Sequence, residues 1–242
     1  MNAYEHGALQ ELARWQKKMK KSPSLFNRLS KGWQTRVNRI IPEKVHEVIT
    51  TTIKQMVRAV LAGSGFTTPK PLHDIDLVTR EIAAQQKIKV YRNTATAEGA
   101  IAGAGGILLS LADFPLWLTV KFKMLFEIAA VYGYDVNDYK ERLYILHIFQ
   151  LTFSSQKGRQ KTYALMEGWD TYAIALPATM HEFDWRKFQQ EYRAYIDLAK
   201  LLQLVPGIGA AVGAYVNHRL TEKLGKNAMQ AYRMRVLKAS DM

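Results

Sequence analysis

Apolar residues recur along most of this chain at the three- and four-residue spacing of amphipathic helices. Leu25, Leu29, Trp33 and Val37 form one such stripe, and basic residues occupy the other faces of the same helix. Sustained alternation of apolar and polar residues is absent, and no hairpin-turn signal separates β-branched runs. The pattern predicts a compact all-α fold of roughly eight to ten helices.

Capping residues, glycines and prolines place the helix boundaries. Asp74 or Asp76 is expected to cap one helix, and Asn137 or Asp138 another. Gly133 is expected to end a helix, whereas the polar stretch Ser154–Lys161 is predicted to be a loop. The predicted helices lie at about 3–21, 42–63, 116–132, 138–153, 163–180, 184–204 and 208–238.

The loop from Gly63 to Pro71 is the strongest break in the chain, because glycine, threonine and proline crowd it. It separates a basic N-terminal helical region, residues 1–62, from a helical core, residues 72–242. At 242 residues the chain is long enough to bury a sizeable core. We expect both regions to form one continuous domain, 1–242.

Two glycine-rich apolar segments stand out, and each contains a GxxxG spacing that puts two glycines on one helix face. Each glycine costs a helix about 1 kcal/mol relative to alanine, so close packing must compensate. We expect the two segments to pack against each other in the core through Gly99, Gly103, Gly106, Gly209 and Gly213.

Membrane insertion of the same segments is the alternative. Residues 99–120 approach the length of about 20 residues that a membrane span needs, but they contain Asp113 and Pro115. Residues 201–217 are shorter and contain Gln203 and Pro206. These polar residues and prolines favour a buried core over insertion.

Asp113 is the single charged residue of its apolar segment. A buried carboxylate without a partner is very costly, so Asp113 must cap a helix or be paired. We expect it to cap the helix that begins near Pro115, and to act as a buried polar anchor together with Asn217. Arg219 is a second possible partner.

The net charge of +13 indicates anionic partners. No nucleic-acid module is visible, so the charge favours an anionic membrane surface and leaves non-specific nucleic-acid binding as an alternative. A second basic cluster is expected at Arg233, Arg235 and Lys238, beside Tyr232. The residues expected to contact the membrane are Lys17, Lys18, Lys20, Lys21, Arg28, Lys31, Trp33, Arg36 and Arg39.

Several kinds of chemistry find no support in the sequence. The absence of cysteine excludes disulfides, thiol nucleophiles and cysteine-based metal sites. The histidines lack zinc-ligand spacing, and phosphate loops, Rossmann fingerprints and nucleophile elbows are missing. The carboxylates Glu127, Asp135, Asp138 and Glu141 are dispersed. No catalytic, cofactor-binding or metal residue is therefore assigned, although a ligand-binding or enzymatic pocket around Asp113 stays open as an alternative.

Three stretches together resemble the EcsC family of bacterial proteins. They are the glycine-rich run ending in Ala112-Asp113, the sequence EIAAVYGYD that ends at Asp135, and VPGIGAAVGAYVN that ends at Asn217. The family usually places a proline ahead of the aspartate, where this chain has Asp113-Phe-Pro115. The resemblance implies a helical protein of unestablished activity, encoded in its founding case beside an ABC transporter and linked to secretion and protein processing.

The expected function combines this resemblance with the charge. We expect a non-enzymatic accessory protein that docks on the cytoplasmic face of the membrane or on a membrane transporter. The first 14 residues contain Glu5, His6 and Glu11, so they cannot form the apolar core of a secretory signal. A cytoplasmic location follows as an expectation.

Overall fold

The computed structural model describes residues 3–21, 43–63, 70–104, 114–179, 182 and 210–240. Within these ranges the chain is mainly helical and contains no β-strand, so the predicted all-α fold is confirmed. The helices are α1 (Ala3–Lys20), α2 (Glu43–Ala62), α3 (Leu77–Ala104), α4 (Phe114–Val131), α5 (Tyr139–Phe153), α6 (Gln156–Glu167), α7 (Trp169–Ile174) and α8 (Ala210–Ser240).

Helix α5 forms the centre of the core. Nearly all of its residues are buried, because apolar and aromatic side chains cover every face of the sequence YKERLYILHIFQLTF. It contacts α2, α4, α6 and α8. The stacked rings of Phe122 and Phe149, whose centroids lie 4.9 Å apart, join α5 to α4.

Helices α3 and α8 form a long antiparallel pair. Glu81 near the start of α3 contacts Arg233 near the end of α8, while Thr96 later in α3 contacts His218 early in α8. Helix α1 packs beside this pair through a buried stripe, which consists of Ala8, Leu12, Trp15 and Met19. The basic face of α1 therefore points to solvent.

The boundaries set by local chemistry match the predictions. Asp138 caps α5 by accepting a hydrogen bond from the Lys140 backbone N–H, and Asp76 does the same for α3 with the Thr79 N–H. Gly63 and Gly133 follow the ends of α2 and α4 with positive φ angles of 71° and 91°. These left-handed conformations favour glycine and end the helices.

Two predictions around residue 160 are wrong. Residues 154–161 are not a loop, because the Ser155 side chain accepts from the Gly158 N–H and starts α6 at Gln156. The predicted helix 163–180 is divided at Gly168 into α6 and α7. The polar composition of this stretch reflects a helix with one solvent-facing side.

The structure does not test the predicted contacts between the glycine-rich segments. Gly106 and Gly209 lie outside the described residues, and the surroundings of the other three predicted glycines are not described. A close approach is instead visible at Gly225 of α8. A Cβ atom placed there would lie 2.5 Å from Cγ1 of Ile88 and 3.0 Å from its Cγ2.

We expect Gly225→Ala to destabilise the protein by up to about 2 kcal/mol. The clash with Ile88 costs about 1–3 kcal/mol as overpacking, and a gain of about 1 kcal/mol in helix propensity is subtracted from that cost. Gly7→Ala is the matched control, because no atom lies within 4 Å of the added Cβ and the residue is exposed in α1. It should stabilise by up to about 1 kcal/mol. Urea unfolding of both variants measures this, and a shift of the same sign in both would contradict the close approach.

Candidate functional site

An open groove of about 1060 Å³ lies where α1, α3 and α8 meet. Helix α1 contributes Glu11, Trp15 and Lys18 to its lining. Residues 82–92 of α3 and 219–233 of α8 supply the rest. The antiparallel pairing of α3 and α8 gives the groove two chemically different ends.

One end of the groove is strongly cationic. It holds one carboxylate, Glu222, whose pKa is lowered mainly by the hydrogen bond from Lys226. Lys226 lies 2.8 Å from Glu222, and Arg92 lies 4.0 Å from it. The cations that line this end are Lys18, Lys89, Arg92, Arg219, Lys223 and Lys226.

Helical spacing places these cations on shared helix faces. Arg219, Lys223 and Lys226 follow one another at intervals of four and three residues, so they share one face of α8. Lys89 and Arg92 are three residues apart on α3. The antiparallel pairing of α3 with α8 brings the two sets together. The result is a positive patch built from two distant parts of the chain.

The opposite end, here called the apolar end, exposes one large apolar side chain. Ile82 is 51% exposed there, and the buried Trp15 and Met229 also line the groove. Among the described lining residues at this end, Arg233 is 4% exposed and pairs with Glu11, which is 60% exposed, and with the fully buried Glu81. Its Nε and Nη2 atoms each lie 2.5 Å from a Glu81 oxygen.

The Glu81–Arg233 pair also joins α1 to the core. Arg233 Nη1 donates to Glu11 Oε2 at 2.9 Å and to the Ala8 carbonyl at 3.2 Å. The Tyr4 hydroxyl donates to Glu81 at 2.7 Å, and burial together with this carboxylate raises the pKa of Tyr4 to about 12. Three helices therefore depend on one buried ion pair.

The predicted basic cluster at Arg233, Arg235 and Lys238 is wrong as an exposed patch. Arg235 Nη1 lies 2.7 Å from the buried carboxylate of Glu141. Its guanidinium stacks over the rings of Tyr134 and Tyr144, at 3.8 and 4.5 Å from the ring centroids. Lys238 pairs with Asp170 at 2.7 Å. Arg233 and Arg235 therefore pair inside the protein, whereas Lys238 remains exposed in a surface ion pair.

The predicted lysine cluster of α1 is exposed. Lys17, Lys18 and Lys21 have no ion-pair partner within the described ranges, whereas Lys20 lies 2.8 Å from Glu167. Lys18 also lines the cationic end of the groove, so the two positive regions are continuous. The other predicted membrane contacts lie outside the described residues. They are Arg28, Lys31, Trp33, Arg36 and Arg39.

Asn217, which the sequence predicted to be a buried polar anchor, lies buried in a polar cluster whose other members the sequence did not reveal. Its side-chain oxygen accepts from Trp117 Nε1 at 2.6 Å and from Lys121 Nζ at 2.8 Å. Its amide nitrogen donates to the Ala95 carbonyl at 2.6 Å. Lys121 is fully buried, and its place inside the apolar run FPLWLTVKFKMLF is the signal that sequence reasoning missed. Asp113 lies outside the described residues.

The described part of the chain contains neither a metal-ligating cluster nor a helix suited to span a membrane. No group of three or more histidine, aspartate or glutamate side chains in these ranges is placed to hold a metal ion. None of the helices described is both long enough and apolar enough to cross a bilayer. The groove is therefore the candidate site that these residues present.

Comparison with known proteins identifies relatives along the whole chain. A model of the EcsC protein family matches residues 6–237. Protein EcsC of Bacillus subtilis (strain 168) is 45% identical over 231 residues, which cover 95% of this chain and 95% of that protein. Uncharacterized protein YdbA of the same organism is 27% identical over 249 residues, covering 95% and 92%. No solved structure matches the chain.

Proposed function

This chain belongs to the EcsC protein family, and we propose that it is a non-enzymatic accessory protein that docks on an anionic membrane surface. The supporting observation is one continuous basic surface. It runs from the exposed lysines of α1, through Lys18, into the cationic end of the groove. The cytoplasmic leaflet is the surface that fits, because its acidic lipids attract such clusters.

The size of the attraction suits reversible binding. Lys17, Lys18, Lys21, Lys89 and Arg219 are exposed and have no carboxylate partner in the part of the chain described. Each cation near an anionic surface contributes about 1 kcal/mol, so together they supply several kcal/mol. Salt screens such attraction, so the binding should be salt-sensitive. A membrane transporter, an ABC transporter above all, is the protein partner that the family resemblance implies at this surface.

We expect the triple variant Lys17→Gln, Lys18→Gln, Lys21→Gln to lose most of its binding to anionic vesicles. The change removes three charges from the basic surface and leaves the Lys20–Glu167 pair intact. The matched control is Lys54→Gln, Arg58→Gln, Lys70→Gln, which removes three exposed cations outside that surface. Vesicle flotation at low salt measures both. Equal losses in the two variants would contradict docking through α1 and leave only an effect of net charge.

A further inference from the structure

One end of the groove is cationic and the other exposes an apolar side chain, and an acidic lipid likewise has a charged headgroup at one end and apolar chains at the other. We propose that the groove binds one acidic phospholipid molecule along its length, with the phosphate at the cationic end and an acyl chain at the apolar end. This inference deepens the proposed membrane docking, on which it rests, from attraction to a charged surface to recognition of a single lipid. Its support comes from the charge, the shape and the exposed apolar lining of the groove.

Within the described residues, the cationic end carries more positive than negative charge. Lys18, Lys89, Arg92, Arg219 and Lys226 line it against the single carboxylate of Glu222, which is already shared by Lys226 and Arg92. The Arg92 Nε atom is buried and has no acceptor among the described residues. A phosphate offers several acceptor oxygens, and arginine and lysine bind such groups through short charge-assisted hydrogen bonds.

The apolar end offers apolar contact area and, among the described residues, no unpaired cation. Ile82 is half exposed in the groove, which the buried Trp15 and Met229 also line. Arg233 is already paired with Glu81 and Glu11, so it does not attract a further anion. An acyl chain laid here would cover Ile82 and remove apolar surface from water.

The groove favours an elongated occupant. Its lining along α8 runs from Arg219 to Arg233, which corresponds to a length of about 21 Å at the helical rise. A lipid with its headgroup at the cationic end and an extended acyl chain would follow this direction.

Short-chain lipids test this proposal without a bilayer. Dihexanoylphosphatidylglycerol, used below its micelle concentration, should bind to the full chain with one molecule per protein by isothermal titration calorimetry. Dihexanoylphosphatidylcholine and inorganic phosphate should each bind at least about tenfold more weakly, since one lacks net charge and the other lacks chains. Phosphate binding as strong as the acidic lipid would overturn the lipid assignment in favour of a simple phosphate site. Absence of lipid binding would overturn the groove proposal.

Two variants test the two ends of the groove separately. Lys89→Gln with Arg219→Gln removes two exposed cations, and Ile82→Gln removes the exposed apolar contact. Each should weaken short-chain lipid binding at least about tenfold while thermal unfolding stays close to wild type, because all three side chains are exposed. Lys54→Gln with Arg58→Gln is the control, and it should bind normally. Unchanged binding in either groove variant would contradict the proposal.

Vesicle flotation distinguishes docking on the membrane surface from lipid binding in the groove. If the wild type floats with anionic vesicles but does not bind the short-chain lipid, docking through the surface stands and the groove proposal falls. If neither occurs, the proposed function falls as well.

Discussion

Arg233→Met is expected to destabilise the folded protein by about 3–5 kcal/mol, the cost of leaving a buried charge without its partner. Glu81 is fully buried, and Arg233 supplies two of its hydrogen bonds at 2.5 Å. The variant also removes the donors to Glu11 and to the Ala8 carbonyl, which hold α1 to the core. Urea unfolding followed by circular dichroism measures the loss.

A double variant and a surface variant test whether the loss of stability comes from the buried ion pair. Glu81→Leu combined with Arg233→Met removes both charges and should recover much of the lost stability, because the desolvation cost disappears with the pair. Lys238, on the same helix as Arg233, pairs with Asp170 of α7, and the two side chains are 51% and 58% exposed. Lys238→Met should therefore cost at most about 1 kcal/mol. A single variant at Arg233 that costs no more than the one at Lys238 would contradict the buried role.

The second large effect concerns pH. His147 lies buried in α5, with Nδ1 3.1 Å from the Gln150 side-chain oxygen and its ring packed edge-on against Trp169. Burial lowers the pKa of His147 from 6.5 to about 4. Between these two values the unfolded chain binds more protons than the folded one, so the free energy of unfolding falls as pH falls. The full stability is present above pH 6.5, and on the order of 3 kcal/mol should be lost on approaching pH 4.

His147→Gln isolates this contribution. The variant cannot titrate at this position, so its stability should change less between pH 7 and pH 5 than that of the wild type, whatever the substitution costs at neutral pH. His6→Gln, on the exposed face of α1, is the matched control for replacing a histidine by glutamine away from the core. Chemical unfolding at a series of pH values gives the comparison. A difference between wild type and His147→Gln that does not vary with pH would contradict the assignment.

The sequence correctly predicted helix caps, helix ends and exposed helix faces, which depend on residues that are close together in the chain. Asp138 caps α5 through Lys140, two residues away, and Gly133 ends α4 through its own backbone conformation. The solvent-facing lysines of α1 followed from one helical period. Each of these features is complete within a few consecutive positions, so residue type and spacing were sufficient.

The groove and the buried ion pairs depend on which helices are neighbours. Arg233 and Arg235 read as surface cations because their partners, Glu81 and Glu141, belong to other helices. Lys89 and Arg219 are about 130 residues apart in the chain, and only the antiparallel pairing of α3 with α8 brings them to one groove. No pattern within a single helix specifies that pairing.

The most direct test of membrane docking is flotation of the purified wild-type protein with neutral and with anionic vesicles, followed by a high-salt wash. The account predicts flotation with anionic vesicles alone, and release when salt shortens the screening length to about 3 Å at 1 M. Equal flotation with neutral vesicles, or none with either, would contradict docking through the basic surface of α1 and the groove.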